Sequence, residues 1–312
     1  MTERGILLLG PNGQVGWELR RALAVLGPVE APRRDAPGGA GDLDDPERVA
    51  AGIRLAAPSL VVNAAAFTAV DRAEAEPERA RRVNAEAPGA ISRACAEVGA
   101  WMVHYSTDYV FDGSGERPWS EADPTGPLNV YGATKCDGEE SIRAAGPGHL
   151  ILRTSWVHGF HGANFVKTML RLAAERERIA VVADQFGAPT GADLIADITA
   201  HAVRACRRDA SLGGTYHLCA GGVATWHEVA VLAIERARTA RPDIDWKVRS
   251  VEETTTEAYP TPARRPANSR LDTRRLRAAF DVHPPDWTEG VARLVDLCAA
   301  PASAPFGKLG SI

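Results

Sequence analysis

The sequence predicts an α/β fold, a doubly wound parallel sheet with a smaller C-terminal lobe. Three observations predict it. Short apolar runs alternate with helical patterns through the first half of the chain. A glycine-spaced turn follows the first of those runs. Later, a tyrosine and a lysine stand four residues apart where a Pro/Asn-rich stretch gives way to a helix. With 312 residues, 45% of them hydrophobic and 24% charged, the chain has the make-up of an ordinary globular protein and the length for one large domain or two smaller ones.

The elements follow in order. "GILLLG" is a short continuous apolar run ending in a glycine turn, as expected of a parallel strand buried on both faces. Val15, Leu19, Ala22, Leu23 and Leu26 then recur at helical spacing. "SLVVNAAA" (59–66) reads as strand, "PERARRVNAEAPGAISRACAEVG" as one helix, "AWMVHYSTDYVF" as a strand with its exit loop, and "HLILRTSW" as another strand. Alternation of this kind implies βαβ units with right-handed crossovers. Past residue 160 the order becomes irregular: an amphipathic helix in "NFVKTMLRLAAERE", two passes of strand, Gly/Pro turn and helix, then mostly loop with short strands from 241 to 270. The expected organisation is a dinucleotide-binding domain over 1–160 and a substrate lobe over 161–312, some of whose segments return to the first domain. Ligands commonly sit in the cleft between such lobes.

Composition excludes several function classes. A net charge of −4 supplies no basic footprint for nucleic acid. The five cysteines are scattered, odd in number and without C-x-x-C spacing, so they read as reduced thiols. The apolar run in "MTERGILLLG" is too short for a signal peptide, and no stretch reaches the length of a membrane span. The expected location is the cytoplasm, with no membrane partner.

In "GPNGQVG", Gly10, Gly13 and Gly16 fall between the first strand and helix. Glycine serves where a chain turns sharply, where backbone N–H groups approach a pyrophosphate, and where a helix packs closely on a strand; the helix N-terminus adds partial positive charge. This is a Rossmann-type dinucleotide loop in its required context. The Lys and Thr of an ATP-binding P-loop are absent. An acidic residue about twenty positions on would bind the adenosine ribose, whereas arginine accepts a 2′-phosphate. Here "PVEAPRRDAPGGAGDL" puts Arg33 and Arg34 near that position with Asp35 just beyond, which leans toward NADPH and leaves NADH open, with Asp42 and Leu43 expected beside the adenine.

"PLNVYGATK" holds Tyr131 and Lys135 on one helical face. Taken alone, such a pair is more commonly a surface ring covered by a lysine stem. It gains meaning from "VHYSTDYVFDG", which places the hydroxyls of Ser106 and Thr107 at a strand's carboxyl end, where ligands of parallel sheets bind. Glycine loop, Ser/Thr and Tyr-x-x-x-Lys together resemble the extended short-chain dehydrogenase/reductases. "VVNAAAFTAVDRAE", "LRTSWVHG", "DQFGAPTGADL" and "YPTPARRPANSRLDT" extend the resemblance over nearly the whole chain to the dTDP-4-dehydrorhamnose reductases within them, enzymes of the last step of dTDP-L-rhamnose synthesis.

That resemblance implies NAD(P)H as cofactor, a dTDP-sugar as substrate, and specific roles. Tyr131 gives a proton to the 4-keto oxygen, Lys135 holds the nicotinamide ribose and lowers the tyrosine pKa, and Thr107 bonds near the reacting oxygen. Gly13, Gln14 and Val15 contact the pyrophosphate; Ala65, Ala66 and Thr68 line the cofactor strand; Tyr105 sits near the nicotinamide. Asp108 and Trp156 face the sugar, while Arg264, Arg265 and Arg270 are candidates for the substrate diphosphate. Two departures stand out. Family members typically carry an acidic residue where Arg33 stands. Some form homodimers around Mg²⁺ held by glutamates, but this chain has Asp193 at one such position and only Glu289 near another, leaving that metal and that dimer open. His158 and His161 lack a third ligand for a metal. Rival readings are a 4,6-dehydratase, which usually has Asp-Glu after the threonine where this chain has Asp108-Tyr109, an epimerase, a reductase of another dTDP-4-keto-deoxysugar, and a non-catalytic regulatory subunit of the methionine adenosyltransferase type.

Overall fold

A computed structural model describes residues 4–35, 40–146 and 148–300. Six parallel strands form the central sheet: β1 (Ile6–Leu9), β2 (Val29–Glu30), β3 (Leu60–Asn63), β4 (Trp101–Thr107), β5 (His149–Thr154) and the strand Gly214–His217. Their spatial order is Gly214–His217, β5, β4, β3, β1, β2. Strand alternation divides the apolar run of β1 between two cores. Ile6 and Leu8 pack with α1 (Gln14–Leu23) and the helix Ala192–Cys206, while Leu7 and Leu9 pack with the helices Pro46–Ala56 and Ala87–Val98. The chain steps outward from β1 to β2, then returns to the other side of β1 as β3. That reversal opens a crevice at the strands' carboxyl ends.

The stretch expected as one long helix is interrupted. Pro77–Arg81 and Ala87–Val98 are α-helical, but Arg82–Glu86 widens into a π-turn. Pro88 lacks the N–H that would bond the Asn84 carbonyl in a regular helix. The freed backbone lies against the helix Val130–Ala144, where a Cβ on Gly138 would stand 2.2 Å from the Asn84 carbonyl oxygen. The buried Asn84 side chain accepts from the Phe67 N–H at 2.8 Å and donates to Thr134 Oγ1 at 3.2 Å, joining a loop of the crevice to that helix.

The second half is shared between two places. The helix Ala192–Cys206, the strand Gly214–His217 and the helix Arg274–Phe280 complete the first core. The helices Phe165–Glu175, Trp226–Ala240 and Trp287–Ala299 build two smaller cores around a parallel pair, Arg178–Val182 with Ser250–Thr254. Among the described residues no helix is long and apolar enough to cross a membrane, and the five cysteines are free.

One buried ion pair fastens the helix Val130–Ala144 to the sheet. Glu139, fully buried, accepts two hydrogen bonds from Arg153 of β5, at 2.8 and 2.6 Å, and a third from the half-exposed Arg143 at 3.1 Å. Its pKa is lowered: burial opposes the charge, and the Arg153 guanidinium outweighs burial. Glu139→Gln leaves the Arg153 charge buried and unmatched, so unfolding in urea is expected to show a loss of about 3–5 kcal/mol. Arg143→Ala, at the solvent side of the same carboxylate, is expected to cost less than about 1 kcal/mol.

Candidate active site

The crevice holds a cleft of about 790 Å³ with the glycine loop at one end and Thr107, Tyr131 and Lys135 at the other. Gly10 has φ +77°, and a Cβ there would stand 2.7 Å from the Ala65 nitrogen. Gly16 permits the closest approach: its Cβ would meet the Gly10 carbonyl oxygen at 2.0 Å, so it seats α1 on the loop without lining the cleft. Gly13 caps α1, whose first turn has no acidic side chain. The N–H groups of that turn, beside Gln14 and Val15, face the cleft with their partial positive charge unopposed. These residues fit a dinucleotide pyrophosphate.

The loop that bears His161, weighed in the sequence only as a metal ligand, lies over this one. Asn164 donates to Gln14 Oε1 at 3.1 Å, His161 Nε2 donates to the Asn12 carbonyl at 3.0 Å, and the His161 ring stacks on Trp17 at 4.4 Å. His161 is thus a clasp on the loop. His158 is buried with neither ring nitrogen bonded, and burial pushes it down to about 4. Further along, Asp42, Leu43, Ala65, Ala66 and Thr68 also line the cleft. Arg33 does not. Its guanidinium turns outward to Asp35 at 3.2 Å, while Arg34 lines the cleft, bonding Asp42 at 2.9 Å and also Asp44. Arg79 meets Asp44 from the other side at 2.9 Å.

The end that holds Thr107, Tyr131 and Lys135 is built from β4 and the helix Val130–Ala144. Asn129 caps that helix, accepting from the Gly132 N–H at 2.8 Å and donating to the Arg264 carbonyl at 2.7 Å. A Cβ on Gly132 would lie 2.2 Å from the Tyr109 carbonyl oxygen, so glycine lets the helix start against the end of β4. Thr107 donates to Asp108 Oδ1 at 3.0 Å, and its hydroxyl also interacts with the Tyr131 phenol. The neighbouring Ser106 has its hydroxyl beside Glu139. Burial pushes Tyr131 up to about 12, with Asp108 adding to the rise and Thr107 opposing it. The Lys135 ammonium, 1% exposed, is directed elsewhere: Nζ lies 2.5 Å from the Tyr105 carbonyl oxygen and 2.9 Å from His104 Nε2. Tyr105 itself lines the cleft and shares a 2.8 Å hydrogen bond with Thr199.

Asp108 is buried, and burial pushes it up to about 6 against the opposing hydroxyls of Ser269 and Thr107; its Oδ2 makes no close hydrogen bond. Trp156 takes a left-handed backbone, φ +48°, and stacks on Trp226 at 3.7 Å. Gly187 makes room for it, since a Cβ there would stand 2.7 Å from the Trp156 ring. Trp226 also lines the cleft and was not expected from sequence. None of Arg264, Arg265 and Arg270 lines the cleft. Arg264 is exposed, Arg265 pairs with Asp71 at 2.7 Å, and Arg270 lies over the Phe186 ring at 4.3 Å. Asp193 is held by Arg293 at 3.0 Å. Among the described residues no group of three or more His, Cys, Asp or Glu could hold a metal ion within one chain.

Comparison with known proteins gives a consistent result. A family model described as RmlD substrate binding domain matches residues 4–299. The dTDP-4-dehydrorhamnose reductase of Shigella flexneri is 53% identical over 291 residues, covering 93% of this chain and 97% of the relative. That of Streptomyces griseus is 40% identical over 280 residues, covering 87% and 90%. Among solved structures, dTDP-4-dehydrorhamnose reductase from Bacillus anthracis in complex with NADP superposes with a TM-score of 0.82 at 32% identity, covering 94% of this chain and 99% of that one. A dTDP-glucose 4,6-dehydratase from Streptomyces venezuelae, at 19% identity and a TM-score of 0.73, shares the fold. From the glycine loop to the last helix, the chain belongs to the RmlD substrate binding domain family.

Proposed function

We propose that this protein is a cytoplasmic reductase of nucleotide sugars, converting the 4-keto group of dTDP-4-dehydro-β-L-rhamnose to the alcohol of dTDP-β-L-rhamnose. One observation carries the reading: Thr107, Tyr131 and Lys135 meet at one end of a cleft whose other end is a dinucleotide loop. High identity to reductases of that name over the whole length supports the substrate.

When bound, reduced nicotinamide supplies the hydride. The chain supplies the proton and the charge stabilisation. With its pKa raised, Tyr131 stays protonated at neutral pH and serves as the acid for an oxygen that gains negative charge. Thr107, tied to both Tyr131 and Asp108, orients the phenol toward that oxygen. Oδ2 of Asp108 accepts from a sugar hydroxyl, and the Trp156–Trp226 stack offers an apolar face to the ring. Tyr109 packs edge-on against Tyr131 at 5.7 Å, so an aromatic ring stands where a 4,6-dehydratase would carry its second acid. This favours simple reduction. At the adenosine end, Arg34 is the arginine placed to meet a 2′-phosphate, and the flanking Asp42 and Asp44 keep NADH competitive.

Tyr131→Phe is expected to lower kcat about 10²–10⁴-fold while leaving the dissociation constant for reduced cofactor within a factor of three, read by absorbance and fluorescence titration. Unchanged turnover would remove Tyr131 from the acid role. Arg34→Ala is expected to lower the NADPH/NADH ratio of kcat/KM roughly tenfold, and Arg33→Ala to leave it unmoved. The opposite ranking would return the ribose contact to Arg33.

A further inference from the structure

Behind Lys135 lies a buried relay that neither the motif nor the family roles include: Asn63 of β3, His104 of β4 and Lys135, all buried. Asn63 has a fixed orientation, because the Ala65 backbone N–H, a donor only, bonds its Oδ1 at 3.1 Å. The other end of the amide is therefore NH₂, and it faces His104 Nδ1 at 3.2 Å. Nδ1 must accept. A ring whose Nδ1 accepts is neutral and carries its one proton on Nε2, and burial, which drives the His104 pKa well below its ordinary value, favours the same form. That N–H points at Lys135 Nζ, 2.9 Å away. An ammonium has three donors and no acceptor, so donor would face donor; a neutral amine has the lone pair the contact needs.

We propose that His104 is a positioning residue for the reduction: by keeping its proton on Nε2 it stabilises Lys135 as an amine, so that this side chain exchanges a proton near neutral pH and is not a permanent ammonium. The proposal rests on the reading of Tyr131 and Lys135 as the reacting pair. Other groups facing Lys135 are consistent with such poise. The Tyr105 carbonyl accepts from either protonation state. Glu139, one turn along the same helix, favours the ammonium, but Arg153 and Arg143 already hold its charge. Burial, against the opposing pull of Glu139, brings Lys135 down to about 8, and the facing His104 donor acts in the same direction.

The chemical use is direct. In each reduction the Tyr131 O–H bond breaks as the new alcohol O–H bond forms. The phenolate left must regain one proton, for which the Lys135 ammonium is the source; the amine it leaves accepts a hydrogen bond from the His104 Nε2–H, and a proton taken up from solvent restores the ammonium. Any neutral donor at the position would help the amine half of this cycle; an acceptor would oppose it.

The test uses the intact, cofactor-free protein. Long-range ¹⁵N–¹H correlation on labelled wild type reads the His104 tautomer, and ε-¹³C-lysine labelling follows Lys135, one of only four lysines, through a pH titration. Expected are the Nε2–H tautomer and a Lys135 midpoint at least about two units below the ordinary ~10.4. His104→Gln, whose side-chain oxygen can turn to Nζ, should raise that midpoint by about one unit or more and move the alkaline limb of the kcat–pH profile the same way. The Nδ1–H tautomer, or a wild-type midpoint near ~10.4, overturns the proposal. Should the variant fail to fold, the two wild-type readings decide. Both are made without substrate, so they stand apart from any failure of the Tyr131 acid role, which turnover of Tyr131→Phe reports.

Discussion

The fastening of the helix Val130–Ala144 to β5 by Glu139 and Arg153 is the contact on which the site depends. This helix bears Tyr131 and Lys135 in its first two turns and Glu139 in its third. A carboxylate with no solvent exposure is tolerable only because two strong bonds from Arg153 meet it, and those bonds fix the helix in rotation and along its axis. The Gly132 contact with the Tyr109 carbonyl sets how near the helix starts to β4. With register, rotation and approach fixed, the phenol falls beside Thr107 and the amine behind it falls beside Tyr105 and His104.

Desolvation then shapes the chemistry. Tyr131 is pushed up to about 12, Asp108 up to about 6, and Lys135 down to about 8. All three shifts share one leading cause, burial disfavouring the charged form. The resemblance alone suggests a tyrosine whose pKa is pulled down by an adjacent ammonium. In the cofactor-free cleft burial raises it instead, and the lysine is engaged on the far side by a carbonyl and an imidazole. A proton donor that keeps its proton at neutral pH suits reduction.

Much of this was legible from local sequence. The apolar runs, the glycine loop and the Tyr-x-x-x-Lys pair each depend on neighbours within a few residues, and a doubly wound parallel sheet follows from them, while its strand order was visible only in the structure. Arg33 and Arg34 were not separable, because which of two adjacent arginines turns inward is decided by Asp42 and Asp44 across a loop. The break at Arg82–Glu86 was masked by good helical periodicity, although Pro88 was its visible cause. Trp226 stacks on Trp156 from 70 positions along the chain, and His104 joins Asn63 and Lys135 across three elements. Pairings at such separations are set by the tertiary fold, and no periodicity in one sequence announces them.

Gly187 ties the sugar end of the cleft to chain history. A bulky residue at φ +48° is strained by about 1–3 kcal/mol, and Trp156 is kept there by its stack on Trp226 and by the empty space that Gly187 leaves. The three positions therefore form one unit of inheritance. A smaller side chain at 156 relaxes the demand for glycine at 187 and strips Trp226 of its partner, while any side chain at 187 evicts the tryptophan. Lineages in which this end of the cleft changes shape are expected to carry joint replacements at 156, 187 and 226, and this triplet would mark a branch where Tyr131 and Lys135 stay the same.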